Sequence, residues 1–237
     1  MAKASKQDTK QATPKQDDNL SGAIGFLRDW YMKRKEQPQY KAVSEQNLKN
    51  LQDVKINYVS PEQLSAEKAG AFYDPSTDQI SIDKNSKYSN SVSTLLHEIS
   101  HKLRANYPEP RETQKLKSAI NPNASFMNMP DVWGHSKEYM ATEAPEELHS
   151  ELNKFRYNFK LDPQKQYTEE DAKSLLSLPD KNKGESFQEY KKRLIEKSNM
   201  IGNHEELLNL IGNDPKKLSE LLNGVAANKT NKKENQA

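Results

Sequence analysis

The sequence predicts an α+β fold: a mainly helical domain with a small sheet, followed by an all-helical C-terminal extension. Apolar residues recur at i, i+3, i+4 and i+7 over most of the chain, the spacing of amphipathic helices. Alternation of period two is confined to short stretches between residues 54 and 82, which leaves room for only a small sheet. Beyond Asp162-Pro163 only helical patterns occur, each with a start signal or an apolar stripe.

Leu20, Ile24, Phe26, Leu27, Trp30 and Tyr31 share one face of a first helix, expected over Ser21 to Lys35 and ended by Gln37-Pro38. A second helix is expected from Val43 to Leu51, capped near Ser44. "VKINYVS" sets Val54, Ile56 and Tyr58 against Lys55, Asn57 and Val59, as a half-buried strand requires, and a short helix follows over Pro61 to Lys68. In "GAFYDPSTDQISID", Ala71 to Tyr73 and Gln79 to Ile82 flank five turn-forming residues, which reads as a β-hairpin. The next helix, Ser89 to Asn106, is stopped by Pro108, and "RETQKLKSAI" forms another. Residues 121–134, rich in Asn and Pro, make a long irregular connection, and connections of that length are often functional. Pro145 then opens a helix with Leu148, Leu152, Phe155 and Phe159 in one stripe. "TEEDAKSLLSL", "ESFQEYKKRLIEKSNMI", "HEELLNLIG" and "DPKKLSELLNGVAA" supply the helices of the extension.

Composition bounds what these elements can do. Only 33% of the 237 residues are hydrophobic and 30% are charged, with a mean hydropathy of −1.07, so the core is small for the length. Residues 1–18 and 228–237 lack large apolar side chains after Met1 and read as disordered tails, leaving 19–160 as the main domain and 161–227 as the helical extension. A net charge of +2 from 36 basic and 34 acidic residues gives no electrostatic case for specific nucleic-acid binding. There is no cysteine, so disulfides and thiolate ligands are out and any metal must be held by His, Asp or Glu. No secretory signal and no membrane span is read in the chain, which sets the expectation of a soluble protein made without export.

The chemistry is concentrated in "STLLHEISHKL". At about 100° per residue, with His97 at 0°, His101 falls at about 40° and Glu98 at about 100°. Leu95, Leu96, Ile99 and Leu103 cluster on the opposite side. One face goes to the core and the other presents two imidazoles one turn apart, a spacing that suits two nitrogens on one zinc ion. The intervening Glu98 is then placed to move a proton for a zinc-polarised reaction. A solvated helix face that happens to carry two His and a Glu is the ordinary alternative.

This arrangement resembles the zincin metallopeptidases, in which an edge strand precedes an HExxH helix and a later helix completes the site. The resemblance spans roughly Leu20 to Phe159. The succession "FLRDWYMKRKEQ", "GAFYDPSTDQISID", "STLLHEISHKL" and "PEELHSELNKFR" is also similar to small zincin-like peptidase domains encoded by bacteriophages and mobile elements. It implies a zinc cofactor, peptide or protein substrates, phage structural proteins among them, and a cytoplasmic or virion-associated location.

A catalytic zinc takes three protein ligands and leaves a fourth position open. After His101 the chain reads "KLRANYPEP", without the third His and Gly of the metzincin extension. A glutamate of a later helix, as in the gluzincin branch, fits better. Glu147 is the first choice because it borders the apolar stripe beside Leu148, and Glu151, on the same face, is the second. Glu143 and Glu146 read as solvated charges but stay open. Ser150 stands where family members usually carry Ala, a small departure that still lets two helices approach. His149 and His135 are alternative nitrogen ligands or, with Tyr139, oxyanion donors, against ordinary roles on helix edges. His204 reads as a helix-start residue and Trp30 and Trp133 as core anchors. The expected function is a zinc-dependent endopeptidase with Glu98 as general base. The competing one is a catalytically silent zincin scaffold that docks a partner through its C-terminal helices.

Overall fold

The computed structural model describes residues 16–66, 69–106, 110–121 and 144–224. The tails at 1–15 and 225–237, most of the Asn- and Pro-rich connection, Trp133, His135, Tyr139 and Glu143 lie outside the described residues. Among the described residues the fold is α+β and mostly helical, with one three-stranded sheet.

Helix α1 runs over Gln16–Arg34, starting five residues before Ser21 because no breaker intervenes after Pro14. Its inner face buries Ala23, Leu27 and Trp30. The chain turns at Gln37, and a 3-10 turn, Pro38–Tyr40, feeds directly into helix α2, Lys41–Asn50. Because that turn already supplies helical backbone, Ser44 is no cap; it lies inside α2 at 2% exposure.

The sheet takes strands β1 (Ile56–Tyr58), β2 (Ala71–Asp74) and β3 (Gln79–Ile82) in the order β1-β3-β2. A short helix α3, Pro61–Ala66, lies between β1 and β2 in the chain. β3 is central, parallel to β1 and antiparallel to β2, with Tyr73 opposite Ile80 and Asp74 opposite Gln79. β1 is shorter than its alternation suggests and Tyr58 is 49% exposed, since an outer strand has only one neighbour to cover it. In the hairpin loop Asp74 accepts from the Ser76 N–H at 2.8 Å and from the Thr77 hydroxyl at 2.8 Å, a turn chemistry typical of Asp. Asp78 closes the loop in the left-handed region at φ 55°.

Helix α4, Val92–Asn106, starts after Ser91, whose hydroxyl accepts the Thr94 N–H at 3.1 Å. Ser89 is outside it because its hydroxyl is used to accept the Asp83 N–H. Leu95, Leu96, Ile99 and Leu103 are fully buried. Helix α5 is Pro110–Ala119, and helix α6, Ala144–Asn158, packs along α4. The seam is polar in part: Asn153 donates to the Ser100 hydroxyl at 2.9 Å, and Ser150 is small enough to be wholly buried there.

The extension contains α7 (Glu169–Leu176), α8 (Phe187–Gly202), α9 (Glu205–Ile211) and α10 (Pro215–Asn223). Capping boxes open α7 at Thr168 and α8 at Ser186, and Asp214 caps α10. Gly212, at φ 71°, ends α9 in a conformation that suits glycine. The C-terminal end of α10 is then tied to three earlier helices. Lys115 of α5 donates to the carbonyl of Gly224 at 2.6 Å, Arg156 of α6 to that of Leu221 at 3.1 Å, and Arg34 of α1 to that of Asn223. Cations at a helix C-terminus satisfy its orphan carbonyls and its dipole together. The apolar core is correspondingly continuous from Leu27 of α1 through Ile80, Ile99 and Phe155 to Leu207 and Leu218 of the extension. Among the described residues no helix is long and apolar enough to cross a membrane.

Candidate metal centre

The α4 face opposite the buried leucines meets the first two turns of α6. There the Nε2 atoms of His97 and His101 stand 3.0 Å apart. Glu147 faces both with its carboxylate, Oε2 lying 3.2 Å from His97 Nε2 and Oε1 3.4 Å from His101 Nε2. Donors around a tetrahedral zinc with bonds of about 2.0 to 2.1 Å are separated by about 3.3 Å. Among the described residues, these three make up the one group of His and acidic side chains with metal-ligand spacing.

The donor chemistry passes a second test. Glu151, one turn beyond Glu147 and 1% exposed, takes the Nδ1–H of His97 at 3.1 Å. That bond fixes the tautomer, so the Nε2 of neutral His97 carries a lone pair. Without a metal, the positive charge these groups call for is a proton on His97, held between Glu147 and Glu151; a metal cation can take its place among the two Nε2 atoms and the Glu147 carboxylate. Lys154, three residues on, donates to the same Glu151 oxygen as His97 does. The residues present therefore fit a divalent metal with mixed nitrogen and oxygen preference.

The protons follow from the same contacts. Burial pulls the His97 pKa down, but its bonds to Glu147 and Glu151 overcome that and hold it well above the usual histidine value. Burial lowers His101. Burial works to raise Glu147, yet the charge of His101 and the bond to His97 hold it at about 2. Glu98, 7% exposed, sits on the hairpin side of α4 and is pushed up to about 7, by burial first and then by repulsion from Glu147, against the attraction of His97. A buried carboxyl poised near neutrality is suited to take up and release a proton.

The other candidates are placed apart from this group. Glu151 faces the far nitrogen of His97 and orients it. Glu146 is half-buried and outside the group, acting on His101 through its charge alone. His149 is buried on the opposite side of α6, its Nε2 3.1 Å from the Asn153 amide, and burial with the charges of Arg104 and Arg156 keeps it neutral. His204 is at the start of α9, packed on Phe155 and Phe159 and bonded to Asn158 at 3.0 Å. Trp30, 3% exposed, is a core anchor flanked by the guanidinium groups of Arg34 and Arg156.

Sequence reasoning passed over two participants, Lys154 and the pairing of Glu151 with Nδ1. A signal for both was present in the spacing Glu147, Glu151, Lys154, which puts two acids and a base on one face of α6. No protein-family model, no curated protein and no solved structure matches the chain.

Proposed function

We propose that the chain is a zinc-dependent endopeptidase in which His97, His101 and Glu147 hold the metal and Glu98 is the general base. The observation that carries this reading is the convergence of the two Nε2 atoms and the Glu147 carboxylate within 3.4 Å, with the buried Glu98 beside them on α4. When bound, zinc supplies Lewis acidity, polarising a carbonyl and making water acidic near neutral pH. Glu98 takes a proton from the attacking water and returns it to the departing amine nitrogen. Glu151 keeps His97 in the tautomer whose Nε2 is free to bind. β2, an outer strand of the sheet that packs against α4, offers main-chain groups to an extended peptide.

The test is elemental analysis of protein purified without a histidine tag, together with cleavage of a mixed peptide library. One zinc per chain, lost or weakened in Glu147→Ala, and cleavage that Glu98→Gln abolishes while retaining zinc, are expected. A wild-type chain that takes up no zinc on addition, or cleavage unaffected by Glu98→Gln, overturns the reading. The resemblance to phage-encoded domains makes phage structural proteins the first protein substrates to try, and virion assembly the first setting.

One observation favours a second reading, a zincin scaffold that docks a partner without turnover. α8 buries none of its 16 residues and leaves Phe187 64% and Ile195 46% exposed. Equal behaviour of wild type and Glu98→Gln in every binding and cleavage assay selects that reading.

A further inference from the structure

Phe26, Asp29, Trp30 and Lys33 follow one another at i, i+3, i+4 and i+7 of α1, so two aromatic rings and two opposite charges share one side of that helix. That side does not close on its neighbours. Together with Tyr157 near the end of α6, and with Lys160 and Leu161 just after it, these residues line an open cavity of about 420 Å³. Protein interiors seldom leave voids larger than a water molecule, and small-molecule sites span about 300 to 1,000 Å³. Tyr157 is about 15 Å along α6 from Glu147, so the cavity is apart from the metal centre.

Its walls are aromatic and hold one another in place. Phe26 meets Tyr157 edge to face with ring centroids 5.2 Å apart, and Trp30 at 6.1 Å. Trp30 is 3% exposed whereas Phe26 and Tyr157 are half-buried, so flat apolar surface faces water here. The charges around it are uneven. Lys33 and Lys160 stand on the rim against Asp29, and all three are exposed and make no hydrogen bond or ion pair among the described residues. Beyond the Trp30 ring stand the guanidinium groups of Arg156, at 4.9 Å, and Arg34, at 5.7 Å, neither of which lines the cavity. Asp162, next to Leu161, spends its carboxylate on the Gln164 N–H at 2.9 Å. Cations therefore outnumber acids around the cavity and make its field positive.

We propose that this cavity binds a small planar aromatic anion, its ring against Phe26, Trp30 and Tyr157 and its acid group toward the ammonium groups of Lys33 and Lys160. An apolar ring alone leaves those two groups unused, and an aromatic cation meets a field of the wrong sign. The backbone singles out Lys160 as well. It stands at φ 49° in the turn that ends α6, where the Leu161 N–H donates to the Arg156 carbonyl at 3.0 Å. Glycine suits that position best, so a lysine is held there against backbone preference and places its ammonium on the rim. The site does not depend on the reading of the metal centre.

The experiment is a titration of the full-length, isotope-labelled chain, followed by NMR at the Trp30 indole N–H and the backbone amides of Tyr157 and Leu161. The probes are naphthoate and naphthylmethylammonium, one ring system with opposite charges. Saturable shifts with naphthoate are expected at these positions with a Kd of about 1 mM or tighter, and binding of the ammonium about tenfold weaker. Lys33→Glu combined with Lys160→Glu, both at exposed positions, is expected to reverse that order and keep the melting temperature. Lys160→Gly is expected to melt at the same temperature or higher while naphthoate binds about threefold more weakly. Absence of a saturable shift with naphthoate overturns the proposal, as does equal binding of the two probes or binding that the charge reversal leaves unchanged. Shifts at these residues that follow protein concentration without any probe assign the cavity to a second copy of the chain and overturn it too.

Discussion

Replacing Glu151 tests the metal centre without touching a donor atom. The carboxylate is 1% exposed and accepts the Nδ1–H of His97 at 3.1 Å. Glu151→Gln keeps the shape and leaves a neutral amide oxygen in place of a charged acceptor. A hydrogen bond to a charged group is worth about 1.5 to 3 kcal/mol and a neutral one about 0.5 to 1.5, so the change costs on the order of 1.4 kcal/mol, or tenfold in zinc affinity. Glu151→Leu leaves the imidazole N–H unpaired in a buried site, at about 1 to 3 kcal/mol, or tenfold to a hundredfold. Lys154, whose side chain is 20% exposed, can turn to water when its partner is gone, so no second penalty is added. The assay is competition for zinc against a chromogenic chelator at fixed pH, with Glu146→Gln as a control of equal charge change outside the group. A zinc affinity for Glu151→Leu within twofold of wild type, with the fold intact, refutes the reasoning: His97 is then oriented by another group or does not bind through Nε2.

Four further outcomes follow from the same contacts. Removal of residues 161–237 is expected to leave 1–160 unable to fold cooperatively, seen as loss of a sharp thermal transition, because Arg34, Lys115 and Arg156 lose the carbonyls they hold. Asp78→Ala is expected to destabilise by about 3 to 5 kcal/mol in denaturant melts and Lys102→Met by much less, because the first strands a buried ammonium and the second leaves a carboxylate 36% exposed to water. His204 is buried and its pKa is lowered by burial to about 4, so the unfolded chain binds its proton first. Stability from this group is present above about pH 6.5 and lost as pH falls toward 4, by roughly 3 kcal/mol, and His204→Phe is expected to flatten that limb in melts across pH 4 to 7. Ser150→Leu is expected to cost about 1 to 3 kcal/mol by thermal denaturation, since Ser150 is wholly buried where α6 packs on α4.

Helices were legible because each writes its own period. The stripe Leu95, Leu96, Ile99, Leu103 was readable from spacing alone and is wholly buried. Helix starts were less so: α2 begins at Lys41 because a 3-10 turn precedes it, and α4 begins at Val92 because Ser89 is spent on the Asp83 amide. The hairpin was legible from its turn residues, but the parallel pairing of β1 with β3 was not, since no local pattern names a partner more than 20 residues away. At the centre, the spacing of His97 and His101 announces a shared face, whereas the nitrogen that Glu151 meets depends on ring orientation, which residue spacing does not encode. Lys102 escaped notice for a related reason: a lysine in a sequence reads as solvated, and only its pairing with Asp78 accounts for its burial.

The helical extension carries no chemistry of its own in the sequence, yet α6 makes the centre depend on it. The first half of α6 presents Glu147 and Glu151 to α4, and its second half is gripped by the extension: Phe155 stacks edge-on against His204, Asn158 bonds it, and Arg156 caps α10. A helix of 15 residues behaves as a rod, so whatever fixes its C-terminal half fixes the approach of Glu147 to the two histidines. α4 is anchored separately, through its leucines and through Lys102 on the hairpin. The Glu147 contacts of 3.2 and 3.4 Å are therefore set by two independent mounts, one in the sheet and one in the extension. Loosening either one should weaken zinc binding without altering a ligand, which separates an architectural role for the extension from a purely partner-binding one.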